Sequence, residues 1–379
     1  MFLALRDLAF AKGRFLLMGL VVALVAFLTT FLSGLSEGLV SNNISGLLHL
    51  PCGYVALQYD ERPTFRGSLI ERAQWEDWAS RAGVTRAEPM GHTTFTARVQ
   101  NNVPVELVLW GVRPGSFLMP QVLEGEQIGG TENGVVISRL LASRGVGIGD
   151  TLTLDRVLTE LKVIGITDEQ NYEHIPIVYA PLRKWQEATY GPPGGAPPGE
   201  KLPDVLYDYA SLVAMDLAPG MDYRAIDEEI GTITLTVRES FDTSQAYSVE
   251  VNTVTAIQAF MIFTATILVG AFFTIWTIQR TQEIGLVKAL GASNAYLLRD
   301  SLGQALIVML VATVIGVALG MGVGLAFRMF ISAEFPFMLK TAPVLGAAVL
   351  LLAAGLIGGA ISIRLITRVD PIIALGRDR

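Results

Sequence analysis

The residues able to do chemistry are few and lie mainly in two places. After the opening apolar run, Thr29, Thr30, Ser33, Ser36, Glu37 and Asn42 lead to His49. A carboxylate directly after such a run stands where lipid meets water, either merely solvated there or offered to a ligand. The second place is RTQEIGLVKALGAS, residues 280–293. Arg280 and Glu283 can pair on one helix face, while Ile284, Val287 and Leu290 or Ala289 form an apolar stripe beside Lys288. Gly291 is placed to end that helix in a left-handed conformation. The segment reads either as a solvated loop or as a short amphipathic helix able to enter a groove on a soluble partner.

Catalytic and metal chemistry has little to work with. Cys52 is the single cysteine, so an intramolecular disulfide and any CxxC or Cys/His zinc site are excluded. His49, His92 and His174 are the only histidines, without an HExxH, and no nucleophile and base pair stands out. The Gly/Pro-rich stretch 191–203 reads as an exposed loop, and GxxxxGK[ST] is matched nowhere. The expectation is a non-enzyme with no nucleotide site, no intrinsic metal or cofactor and no nucleic-acid partner.

The elements that must carry these residues follow from composition. At 51% hydrophobic and 17% charged, the 379 residues are too apolar for one soluble domain and too charged to lie wholly in lipid. Four runs reach the ~20 apolar residues that a bilayer core of about 30 Å demands. They place transmembrane helices at 15–36, 253–278, 304–328 and 342–363. The first run is too long for a signal peptide's apolar region and lacks a small-x-small cleavage site, so it reads as an uncleaved span. Basic residues flank the runs on one side: Arg6, Lys12 and Arg14, then Arg280, Lys288 and Arg299, then Arg364, Arg368, Arg377 and Arg379. Both termini are expected to be cytoplasmic, with 1–14 an amphipathic helix on the inner leaflet, 279–303 cytoplasmic and 364–379 a cytoplasmic tail. Segments 37–252 and 329–341 then lie outside. Residues 37–252 hold 29 acids against 16 bases, the opposite balance to the rest of the chain.

That outer segment mixes helix and strand. LIERAQWEDWASRA, 69–82, has helical spacing with Gly83 as a stop. Residues 94–99 and 103–110 alternate like a hairpin around Asn101 and Asn102, and 134–144 passes from strand to helix. Residues 145–154 then turn back into a strand, and 161–166 follow as another. The fold class is a four-helix membrane protein with an α+β extracytoplasmic domain between helices 1 and 2, including a strand-rich subdomain at about 115–200.

The pattern R-x-x-E-I-G-x-x-x-A-x-G-A, carried by Arg280, Glu283, Ile284, Gly285, Ala289, Gly291 and Ala292, resembles the coupling helix of MacB/FtsX-type ABC transporter permeases. ALRDLAFAKGRFLL, VVISRLLASRGVGIGDTLTL with VIGI, and RVDPIIALGRD resemble other parts of that family, Val369 replacing its usual small residue. The resemblance implies a homodimer in the plasma membrane with two copies of a separate ABC ATPase, which binds ATP and Mg, docked on the coupling helices. FAKGRFLLMGLVVALVAFLTTFLSGLSEGL is similar to the haem-exporting branch in Gram-positive bacteria. For haem as cargo, Phe27, Phe31, Phe260 and Phe263 would form a flat apolar pocket between paired first and second spans, with Glu37 or His49 as axial ligand to iron and Asn42 nearby. Tyr172 and His174 are further candidates. The family also holds non-transporting transmitters that control cell-wall hydrolases, and lipoprotein-release permeases. The outer segment is larger than the transmitters are expected to carry, which favours export. Gly316, Gly320 and Gly324, four apart, mark close helix packing.

Overall fold

The computed structural model describes residues 12–99, 102–194, 202–279, 291, 293–331 and 335–366. They form two compact units, one of residues 40–249 and one of the described residues up to Leu39 and from Glu250 onward. Helix α1 (Lys12–Leu48) runs past the apolar stretch because EGLVSNNISGLL contains no proline and sets Val40, Ile44 and Leu47 at helical spacing. Ile44 itself leaves helical geometry, with φ −116° and ψ 16°.

The 40–249 unit is α/β. In chain order it contains β1 (Tyr54–Gln58), β2 (Ile70–Glu71), α2 (Arg72–Ser80), β3 (Val84–Arg98), β4 (Pro104–Val112), β5 (Val122–Gly125), β6 (Gly134–Ser138), α3 (Arg139–Ser143) and β7 (Thr151–Leu154). There follow β8 (Glu160–Thr167), β9 (Asn171–Tyr172), β10 (Ile175–Pro181), α4 (Leu182–Tyr190), β11 (Tyr209–Ala210), β12 (Leu212–Leu217), α5 (Tyr223–Ile230) and β13 (Thr232–Thr236). Eleven strands share one sheet in the order β13-β1-β12-β3-β4-β10-β6-β8-β5, with β7 bridging β3 and β8 and β9 on β10. Among the described residues, only the β4–β10 and β6–β8 pairs are parallel. The strands between Val122 and Pro181 share this sheet with β1 and β12, because β3 pairs with β12 over Val84–Met90 and with β4 over Gly91–Arg98. The β3–β4 hairpin turns at Asn102, whose φ of 63° suits asparagine's tolerance of left-handed backbone.

Packing follows from alternation on β4, which is buried on both faces. Leu107 and Leu109 join Val135, Val163, Val178 and Trp185 in one core, whereas Val108 and Trp110 join Ile44, Leu47, Phe65 and Tyr179 in another. A third core lies around Trp75 and Trp78 of α2 with Ala56, Val213 and Met215. Helix α2 opens with a capping box between Glu71 and Gln74, and Gly83 beyond it takes φ 97°.

The other unit continues with α6 (Gln245–Gln279), α7 (Asn294–Phe330) and α8 (Thr341–Ile366). With α1, these are four helices long and apolar enough to cross a membrane. Ser293 caps α7, its Oγ accepting from Tyr296 N at 3.1 Å. Met18, Val22 and Ala26 of α1 pack with Ala265 and Val269 of α6, Met309 of α7 and Leu351 of α8. Glycines set the closest approaches. A Cβ on Gly316 would strike the Ala23 carbonyl and one on Gly320 the Phe27 carbonyl, both on α1. On α8, Gly355 makes room for Met309 and Gly358 for the Thr266 carbonyl. Lipid tails are as apolar as leucine, so such small-residue contacts are what hold helices together in a bilayer.

Candidate functional site

In the helical unit, the site is built along one face of α1. Phe27, Thr30, Gly34 and Glu37 follow at spacings of three, four and three, which aligns them on that face. Its lower part meets α7 at Gly316 and Gly320. Its upper part meets residues 335–340, the chain entering α8. Met338 N donates to the Gly34 carbonyl at 2.9 Å. The ring of Phe337, 3% exposed, fills the spaces left by the missing side chains of Gly34 and Gly324, and Gly38 accommodates Pro336. Phe31 stacks on Phe27 at 6.1 Å and on Phe337 at 5.8 Å, and meets Phe327 at 6.0 Å; Phe335 lies 5.4 Å from Phe327. Above this aromatic cluster Glu37 is ion-paired with Lys340, their side chains 18% and 56% exposed respectively.

Phe260 and Phe263 do not join this cluster. Helix α6 meets α1 through Gln258, whose Nε2 donates to Ser33 Oγ at 2.9 Å, and through Ala265 and Val269. Phe260 and Phe263, elsewhere on the wheel, are 69% and 63% exposed. A single chain therefore separates the four phenylalanines expected to line one pocket, because helical periodicity puts the two pairs on different faces.

In the α/β unit, the amide of Asn42 is engaged by its own domain: its Oδ1 accepts from Asn171 Nδ2 at 2.6 Å, while Asn171 N donates to Ser45 Oγ at 2.7 Å. His49 is exposed, and its Nδ1 bonds to the Ser45 carbonyl at 2.7 Å. A carbonyl only accepts, so Nδ1 is the donor in this bond. His92 is different. Its Nδ1 accepts from Trp110 Nε1 at 3.0 Å between rings of Phe65 and Tyr172, and burial pushes its pKa down to about 3. It is a neutral core histidine. Tyr172 is equally buried, its phenol pushed up by desolvation, whereas His174 lies in the two-residue turn joining β9 to β10. Burial also pushes the Cys52 thiol up to about 12, so it stays protonated.

A cleft of about 800 Å³ in this unit went unseen in the sequence, its lining scattered over Arg72, Trp75, Arg113, Arg183, Glu187 and Tyr207. Its cations are already occupied: Arg72 pairs with Asp208, Arg113 with Glu88 and Lys184 with Glu187, while Arg183 lies 4.3 Å over the Tyr207 ring. Phe337 and Lys340 were also missed. The only sequence sign of them was a lysine before the last span, too common to single out. Of the coupling residues, Arg280, Glu283, Ile284, Gly285, Lys288, Ala289 and Ala292 lie outside the described residues, as does the amphipathic start of the chain. Gly291 is described and takes φ 96°.

Residues 255–371 match the family model described as FtsX-like permease C-terminal. A Staphylococcus haemolyticus protein named as hemin transport system permease HrtB is 25% identical over 99% of both chains. The macrolide export ATP-binding/permease protein MacB of Burkholderia lata is 37% identical over 100 residues, 26% of this chain and 14% of that one. Among solved structures, the periplasmic region of MacB from Actinobacillus actinomycetemcomitans aligns with 50% of this chain and 90% of its own, at 8% identity and a TM-score of 0.35. Residues 255–371 are thus those of an FtsX-like permease C-terminal domain, and from end to end the chain is similar to a permease named for hemin transport.

Proposed function

We propose that this permease belongs to an efflux pump that moves a hydrophobic toxic compound, haem, from the plasma membrane to the outside. The observation that carries this reading is the end-to-end match to a permease named for hemin transport, without a large insertion or deletion of a domain. Two permease copies are each served by a separate ATPase that binds ATP and Mg, docked on the segment from Arg280 to Ala292. Both termini face the cytoplasm and the α/β unit faces outward, as the basic flanks of the spans require.

The aromatic surface of Phe27 and Phe31 suits the face of a porphyrin, and Phe260 and Phe263 are left exposed for a second copy of the chain to meet. Glu37 or His49 supplies the ligand to iron. The test is a visible-absorption titration of haem into the purified permease in lipid discs, with Glu37→Ala and His49→Ala beside the wild type. A saturable Soret shift lost in one variant is the expected result. Absorption indistinguishable from that of empty discs would rule out haem as cargo.

A further inference from the structure

Glu37 stands at the end of the aromatic seam but already has a partner. Its carboxylate is ion-paired with Lys340 and largely covered, whereas Lys340 is more than half exposed. In such a pair the lysine is the mobile member, since its charge rides on a flexible four-carbon stem that is itself more than half exposed. The backbone beneath it is held in place. Phe337 fills the Gly34 and Gly324 spaces, and Met338 N is bonded to the Gly34 carbonyl. A fixed anchor under a swinging ammonium is the arrangement that lets one cation serve two carboxylates in turn.

We infer that Lys340 is a cargo-binding residue, which holds Glu37 while the site is empty and pairs with a carboxylate of an amphipathic, planar cargo when one arrives. The inference rests on the haem-export reading and adds to it the group that recognises the acidic edge of the cargo. The charges require such a group. A porphyrin carrying carboxylates would be repelled by a bare Glu37, and a cation standing beside Glu37 removes that repulsion. As Lys340 turns to the cargo, Glu37 is left free to face the iron, above the aromatic cluster of Phe31 and Phe337. One residue thus couples recognition of the carboxylate edge to release of the ligand.

The experiment compares iron protoporphyrin IX with its dimethyl ester, which keeps the ring and the iron but has no carboxylate. Each is titrated by visible absorption into the full-length permease in lipid discs, as wild type, Lys340→Gln and Lys340→Arg. The wild type should bind the free acid about tenfold more tightly than the ester, the scale of one charge-assisted contact. Lys340→Gln should bind both as the wild type binds the ester, and Lys340→Arg should restore the preference. A Lys340→Gln protein that keeps the preference, or a wild type that binds acid and ester equally, overturns the role of Lys340 while leaving haem as cargo. No saturable shift with either porphyrin in the wild type removes the haem reading and this inference together.

Discussion

The ring of Phe337 occupies the space that a side chain on Gly324 would need, and it reaches Gly34 on α1 in the same way. The chain entering α8 is thus seated between two helices by one aromatic ring and two absent side chains. Replacing Phe337 with Ala should leave a cavity and cost about 3 kcal/mol. Gly324→Val should do comparable damage by expelling the ring. Combining the two should cost less than the sum of the single changes, because the valine would enter space that the ring has left. Thermal unfolding of the four proteins in detergent measures the coupling, and strict additivity would show that the ring and Gly324 act independently.

The bond from Trp110 Nε1 to His92 Nδ1 holds the imidazole neutral, and burial moves its pKa from 6.5 down to about 3. An unfolded histidine binds its proton near 6.5, so between these values the unfolded state holds more protons than the folded one. Stability from this site is therefore fully present above pH 6.5 and declines as the pH falls toward 3, each unit being worth about 1.4 kcal/mol. His92→Gln keeps an acceptor for Trp110 and has nothing to titrate. Its melting temperature should fall less steeply than the wild type's between pH 6.5 and 4; parallel curves would assign the acid sensitivity to other groups.

Gly91 faces Gly111 in the β3–β4 register, and the indole of Trp185 lies over both, its Nε1 donating to Thr93 Oγ1 at 3.0 Å. Two opposed glycines make the flat patch on which α4 docks. Gly111→Val should destabilise by about 2 kcal/mol through overpacking. Trp185→Ala should cost about 4 kcal/mol by leaving a hole. Calorimetry of the full chain checks both, and the valine should cost little once Trp185 is gone.

The spans were legible because an apolar run of twenty residues has few alternatives in water, and β6 and β8 because each is a short run rich in Val and Ile. The close contacts of α7 were legible only as Gly316, Gly320 and Gly324; the spacing marked contacts without naming their partners, α1 for the first two and Phe337 for the third. Which face of α6 carries Phe260 and Phe263 was not legible, since an all-apolar helix has no polar side to orient it. The Glu37–Lys340 pair joins residues some three hundred positions apart, and no local pattern records such a pairing. The length of β3 was hidden for another reason: Pro89 and Gly91 interrupt any strand pattern, and they sit where the strand changes partners from β12 to β4.

The turn between β9 and β10 offers a prediction in the stabilising direction. Tyr172 pairs with Ile175, so Glu173 and His174 alone make the turn, with φ of 52° and 64°. Two successive left-handed residues define the turn that Asn-Gly fills best, and each ordinary side chain held there costs about 1 kcal/mol. The turn is nevertheless fastened, because Glu173 N donates to the Asn43 carbonyl at 2.8 Å. Glu173→Asn with His174→Gly keeps that backbone donor and removes the conformational cost, so the protein should gain about 1 kcal/mol in thermal unfolding even after the contacts of the His174 side chain are given up. The same variant asks whether His174 binds cargo: haem affinity should be unchanged, and a weakened Soret response in a stabilised protein would place His174 among the ligands.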